Sequence, residues 1–126
     1  MRLILDTVTF LWAVSSPQRL SRAAMAALRK EATVRELSVV SLTEIAVKQI
    51  RGKLTFDKGD VIVGVADLRV RVLPYAAEHA FRLFDLPAHH ADPFDRQIIA
   101  QALVEDIPVV TPDEAFRQYE GLRVVW

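Results

Sequence analysis

Apolar residues gather in short blocks along this chain: "RLIL" near the start, then "LSVV", "VRVL", "PVV" and finally "RVVW". Such blocks are too short for core helices and show no polar alternation. They read as strands with both faces covered, the pattern of a parallel sheet. Between them lie longer segments with apolar residues at helical spacing. Thr7–Val14 follows the first strand, and "SRAAMAALRKEA" is an Ala-rich helix opened by a Ser cap. "ELSVVS" predicts a second strand ending near Val40, and "SLTEIAVKQIRG" a helix closed by Gly52. Lys58–Leu68 is helical, "VRVLP" is a strand stopped by Pro74, and "AAEHAFRLFDLP" is a short helix ended by Pro87. Pro93–Glu105 is a further helix, followed by strand "IPVVT", short helix "PDEAFRQYEG" and last strand "LRVVW". The alternation predicts one α/β domain over residues 1–126, three layers deep (α/β/α), with a central parallel sheet of four to five strands.

The chain has 126 residues, enough for one self-sufficient core, and no internal repeat or linker. Without cysteine it has no disulfide, thiolate zinc site or cysteine nucleophile. The opening "MRLILDTVTFLWAV" has one basic residue and an early acid, so it does not read as a signal peptide, and no apolar run approaches the ~20 residues of a membrane span. A cytoplasmic protein is expected. Sixteen acids balance sixteen bases, so any nucleic-acid contact must rest on local patches. The apolar share, 52%, is high for a small monomer. Either a second subunit or partner covers part of the surface, or an α/β core is simply well filled.

The acids change the picture. Asp6 follows the first strand, Glu44 follows the second, and Asp113 and Glu114 follow "PVV", while Asp92 and Asp95 open the helix leading into that strand. In a parallel sheet the carboxyl ends of the strands share one edge, where ligands bind. Singly, each acid reads as a helix cap or surface ion pair. Asp6 and Asp92 suit N-caps, with Pro93 at the first helical position, and Ser41 with Glu44 and Thr111 with Glu114 fit capping boxes. Lys48 is placed to pair with Glu44.

Together the acids conflict. A cap contributes ~1 kcal/mol, whereas two carboxylates about 5 Å apart repel by about 3 kcal/mol at an effective dielectric of 20. Ser, Thr or Asn would cap without that repulsion. A divalent cation resolves the conflict, and all-oxygen ligands suit Mg²⁺ or Mn²⁺. Asp6, Glu44, Asp95 and Asp113 are then the expected ligands, in a site suited to phosphodiester hydrolysis. Phosphotransfer to Asp6 fits less well, because "LDTVT" puts Thr7 and Val8 where such sites carry further acids.

The stretches "LILDTVTFLWAV", "SLTEIAVKQIRGKL", "LPAHHADPFDRQIIAQAL" and "VVTPDEAFRQYEGLRVVW" together resemble the PIN-domain ribonucleases, in particular the VapC toxins of toxin–antitoxin pairs. The most specific part is "HADPFDRQIIAQA". The resemblance implies a PIN-like α/β/α fold and RNA cleavage with Mg²⁺ or Mn²⁺ held by Asp6, Glu44, Asp95 and Asp113. It gives Thr111 a role in holding a water at the metal, and makes Asp92 a cap or supporting acid. It also implies a cognate antitoxin and a homodimer. The chain departs from this pattern at Val8, Thr43 and Ala91, where relatives often have His, Trp and a basic residue. A non-catalytic PIN-like module that binds RNA or protein, and a nuclease acting on DNA or on nucleic-acid structure, are the alternatives.

Among the remaining residues, His90 is a candidate for the active site or its edge, and His79 and His89 are expected to be structural. Trp12 and Trp126 belong to the core or an interface. Lys48, Arg51 and Lys53 are candidates for RNA phosphate contacts, against the alternative of a solvated helix face.

Overall fold

Strand β1 (Arg2–Leu5) is the centre of the architecture, because every residue from Leu3 to Leu5 is buried. A computed structural model describes all residues of the chain, 1–126. In chain order the elements are β1, α1 (Thr7–Ser15), α2 (Arg22–Arg29), β2 (Val34–Ser38), α3 (Val39–Ile50), α4 (Lys58–Asp67) and β3 (Arg71–Leu73). There follow α5 (Ala77–Phe84), α6 (Pro93–Glu105), β4 (Val109–Val110) and β5 (Val124–Val125). Two 3₁₀ turns, Pro17–Arg19 and Glu114–Gln118, complete the chain; the second stands where a short helix was expected.

All five strands are parallel, in the order β3-β2-β1-β4-β5. Strand alternation divides the core between the two faces of the sheet. Ile4 and Val109 pack with α6, Leu86 and Phe116, while Leu3, Leu5 and Val110 pack with Phe10, Ala24 and Ile45. The expected three-layer α/β/α arrangement results. The chain winds from β1 outward through β2 and β3, then returns to place β4 on the other side of β1. The strand order therefore reverses between β1 and β4. A crevice at the carboxyl edge is the usual consequence of such a reversal.

Several boundaries differ from expectation. The second strand ends at Ser38, and α3 begins with Val39 and Val40, which the apolar pattern had placed in the strand. Ser38 is the reason: its hydroxyl accepts the Val40 amide and donates to buried Gln101, turning the chain early. The expected Ser41–Glu44 capping box is thus absent, and Ser41 lies buried inside the helix. In the Thr111–Glu114 segment Asp113 is the cap, accepting from the Ala115 amide. The Ser21 cap is as expected, but α2 stops at Arg29. No helix is long and apolar enough to cross a membrane.

The amino edge of the sheet carries its own buried acid. Glu36 on β2 is fully buried and receives Arg2 (Nε 2.6 Å) and Arg71 (Nη2 2.9 Å). Arg2 also reaches Glu105 at 2.9 Å, and His79 Nε2 lies 3.0 Å from the other Glu105 oxygen. These partners hold the Glu105 carboxyl below the usual range, and the Arg2 guanidinium is stabilised in its charged form. Removing one partner of a buried pair strands the other charge. Arg2→Met is therefore expected to destabilise the fold by about 2–4 kcal/mol in urea unfolding, with Glu36→Leu added in the same chain restoring most of that loss. A neutral effect of Arg2→Met would show that Arg71 alone satisfies Glu36.

Candidate active site

The turn after β1 shows how local structure aims an acid. Asp6 is the N-cap of α1, and its Oδ1 accepts the Thr9 amide at 2.9 Å. Its second oxygen, Oδ2, accepts the Thr111 hydroxyl at 2.6 Å, across the gap between β1 and β4. The Thr111 hydroxyl in turn accepts the Asp113 amide at 3.0 Å, which fixes the turn carrying Asp113. Asp6 is 3% exposed. Burial, with the nearby Asp113 charge, pushes its carboxyl up to about 6, against the lowering effect of the Thr111 and Thr9 hydrogen bonds.

Glu44 projects from the second turn of α3 and is also buried. The Thr7 hydroxyl donates to its Oε1 at 2.6 Å and lies 2.9 Å from the Ser41 hydroxyl. Lys48, four residues on, holds Oε2 at 2.6 Å. The expected ion pair is present. Lys48 is the only lysine or arginine ion-paired with Asp6, Glu44, Asp92, Asp95 or Asp113, and Glu44 raises its ammonium pKa, with Asp92 and Asp95 adding to the effect.

The "DPFD" segment answers for both its acids. Asp92 caps α6, with Oδ1 accepting the Phe94 and Asp95 amides at 2.9 and 3.0 Å, and Pro93 occupies the first helical position. Asp95 caps nothing and lies within reach of the charges of the other acids at this edge. Burial pushes its carboxyl up to about 8, and the charges of Asp92, Glu44, Asp6 and Asp113 add to the rise. Four strand and helix ends thus deliver their acids to one place.

Asp6, Glu44, Asp95 and Asp113 are brought together, with Thr111 and Asp92 beside them. The structure commits the Thr111 hydroxyl to Asp6. Asp113 and Glu114 are exposed, and Glu114 turns to Arg117 (3.7 Å). His90 reaches the site as well: Nε2 is 3.6 Å from Asp95 Oδ2, and Nδ1 is 2.7 Å from the Tyr119 hydroxyl. Of the basic stripe, Lys48 is tied to Glu44, while Arg51 and Lys53 lie exposed past the end of α3. The other histidines have structural settings. His79 is buried with Nδ1 accepting the Ala76 amide, and His89 stands edge-on to Tyr119. Trp12 and Trp126 pack against each other, with Arg19 over the Trp12 ring.

Thr7 had no role in the sequence analysis and Ser41 only that of a cap, yet Thr7 links α1 to Glu44 and to the Ser41 hydroxyl. The signal was available: a hydroxyl directly after a strand-end Asp, where no capping role calls for it.

A different trio, Glu78, His79 and Glu105, offers three ligand atoms mutually within 4.8 Å at the opposite edge. There Arg2 already supplies positive charge to Glu105, and both His79 nitrogens have partners.

Comparison with known proteins places this fold. No curated protein matches by sequence. By structure the chain is similar to VapBC2 of Rickettsia felis, solved bound to a DNA fragment from its promoter, with TM-score 0.76, 17% identity, and coverage of 98% of this chain and 97% of that one. The DNA-bound VapBC of Salmonella typhimurium is similar at TM-score 0.71 and 18% identity, over 98% and 96% of the two chains. VapBC-5 of Mycobacterium tuberculosis, a member of the VapBC family of toxin–antitoxin systems, is similar at TM-score 0.67 and 19% identity, over 98% and 97%. These likenesses concern the fold. The profile of the PIN domain matches residues 3–122, and on that match over nearly its full length this chain belongs to the PIN domain family.

Proposed function

We propose that this protein is a metal-dependent endoribonuclease, the toxin of a toxin–antitoxin pair, with Asp6, Glu44, Asp95 and Asp113 as its metal ligands. One observation carries the reading: Asp95, pushed up to about 8 by burial and by the charges of Asp92, Glu44, Asp6 and Asp113, sits where the strand order reverses. PIN domains are usually nucleases that bind divalent metals, and the structural neighbours belong to toxin–antitoxin complexes.

The donor set fits Mg²⁺ or Mn²⁺. It is all oxygen and strongly negative, and a cation would offset the repulsion among its members. Bound there, such a cation would stabilise charge developing on a phosphodiester and increase the acidity of water beside it. The chain's own groups hold the ligands in place. Thr111 and the Thr9 amide orient Asp6; Thr7 and Lys48 orient Glu44; Asp92 caps α6 and so sets the position of Asp95. Lys48, beside Glu44, is the first phosphate contact of the proposal, with Arg51 and Lys53, exposed past the end of α3, as further ones along the RNA. The preference for RNA follows from the family likeness, and a non-catalytic module would have no use for mutually repelling acids.

Partners follow from the surface. Phe81 and Phe84 of α5 are 70% and 85% exposed, and a groove of about 340 Å³ between α3 and α4 is lined by Leu42, Ile45, Phe56 and Val61. Apolar surface of this kind suits a second copy and an antitoxin.

Two tests follow. The first uses metal-free protein. Asp95 has its ordinary carboxyl pKa, ~3.9, in the unfolded chain and about 8 in the folded one. The folded state therefore binds more protons between these values, and stability falls as pH rises through that window. Asp95→Asn removes the loss. The variant should match wild type near pH 4, at the low end of that window, and exceed it at pH 8 by about 1–3 kcal/mol, allowing for solvent screening. Urea unfolding at both pH values checks this, and a variant no more stable at pH 8 contradicts the clustered charge.

The second test is activity. Purified protein should cleave single-stranded RNA with Mg²⁺ or Mn²⁺ and lose this on chelation. Asp95→Asn should cut about 10²–10³-fold more slowly, while Asp92→Asn, which still caps, should lose little. Activity undiminished in excess chelator would refute the metal reading, and equal cleavage of single-stranded DNA would favour the broader nuclease alternative.

A further inference from the structure

Tyr119 is 2% exposed, so its hydroxyl must find its partners within the protein. It has two. Arg96 Nη1 donates to it at 3.1 Å, and His90 Nδ1 lies 2.7 Å away. Arg96 is itself pinned, donating to the Pro87 carbonyl at 2.7 Å and the Leu86 carbonyl at 3.2 Å. A guanidinium can only donate. If His90 Nδ1 also donated, the tyrosine oxygen would receive two protons and its own O–H would have no acceptor. The tyrosine O–H therefore donates to Nδ1. A neutral His90 then carries its proton on Nε2.

That Nε2 is buried, has no hydrogen-bond partner, and lies 3.6 Å from Asp95 Oδ2. We propose that His90 is a positioning residue for Asp95, its tautomer set by Tyr119 and Arg96 so that a neutral N–H is held ready for Oδ2. The inference rests on the metal-site reading above. A neutral donor has an advantage over a lysine or arginine here, because it orients a carboxylate while leaving its charge available to a cation. Closing the 3.6 Å gap to hydrogen-bond length takes a small turn of the Asp95 carboxylate, which would leave its other oxygen free of the histidine. Supporting hydrogen bonds of this kind influence metal affinity by about 10–100-fold.

Two measurements test it. Long-range ¹⁵N–¹H NMR of the metal-free protein at pH 8, assigned with His90→Gln, should show His90 as the Nε2–H tautomer. An Nδ1–H tautomer overturns the proposal. Mn²⁺ affinity by calorimetry then compares His90→Gln, whose amide nitrogen can replace Nε2–H, with His90→Asn, which reaches only the Nδ1 position. Expected are an affinity within about threefold of wild type for Gln and a loss of about 10–100-fold for Asn, with matched melting temperatures. Equal affinities for both variants overturn the positioning role alone. Wild-type protein that binds no Mn²⁺ overturns the metal reading and this role with it.

Discussion

Repulsion among carboxylates at the carboxyl edge of the sheet is the constraint around which this molecule is arranged. The two edges treat buried acid in opposite ways. At the amino edge Glu36 and Glu105 are answered by Arg2, Arg71 and His79, so charge there is paired locally. At the carboxyl edge Asp6, Glu44, Asp92, Asp95 and Asp113 have Lys48 as their one ion-paired base apart from His90. The same fold that neutralises one acid with two arginines leaves five together with one lysine. In the proposed reading, that asymmetry is the site's capacity for a divalent cation.

What keeps the acids in place against their repulsion is mostly local hydrogen bonding. Asp6, Asp92 and Asp113 each cap a helix or 3₁₀ turn through one carboxylate oxygen. Capping and ligation are therefore compatible roles, since each carboxylate oxygen has two lone pairs and the cap uses only part of that capacity. Thr111 and Thr7 add hydroxyl donors to Asp6 and Glu44. Asp95 has no such donor, so nothing offsets the burial and the neighbouring charges that raise its carboxyl. The acid cluster thus depends on the reversal of strand order, which brings β1 and β4 side by side and lets Thr111 reach across to Asp6.

Much of this was legible in the chain. Continuous apolar blocks such as "RLIL" cannot bury both faces except in a covered parallel sheet, and that inference places every strand-end acid on one edge. "DPFD" separated a capping acid from a free one because proline after Asp92 marks the helix start. Other features depended on tertiary contacts that no local pattern encodes. Ser38 turns the chain before Ser41 because Gln101, far along the sequence, receives its hydroxyl. Thr7 finds Glu44 only once α1 and α3 pack together. The arrangement of His90, Tyr119 and Arg96 joins residues whose shared burial is set by the packing of α6 against the segment after β4. Pattern reading finds elements and edges, whereas the partners of each hydroxyl and imidazole emerge from packing.

The central claim is that the clustered acids are a cation site, and thermal unfolding with added Mn²⁺ tests it most directly. A ligand that binds only the folded state stabilises it by RT ln(1 + [L]/Kd), about 2.7 kcal/mol at a hundredfold excess over Kd. At pH 8 the melting temperature of wild-type protein should rise steadily with Mn²⁺, by several degrees at saturation. Asp95→Asn, melting higher without metal, should respond weakly over the same range. A wild-type melting temperature indifferent to Mn²⁺, or an equal rise in the variant, would contradict the account.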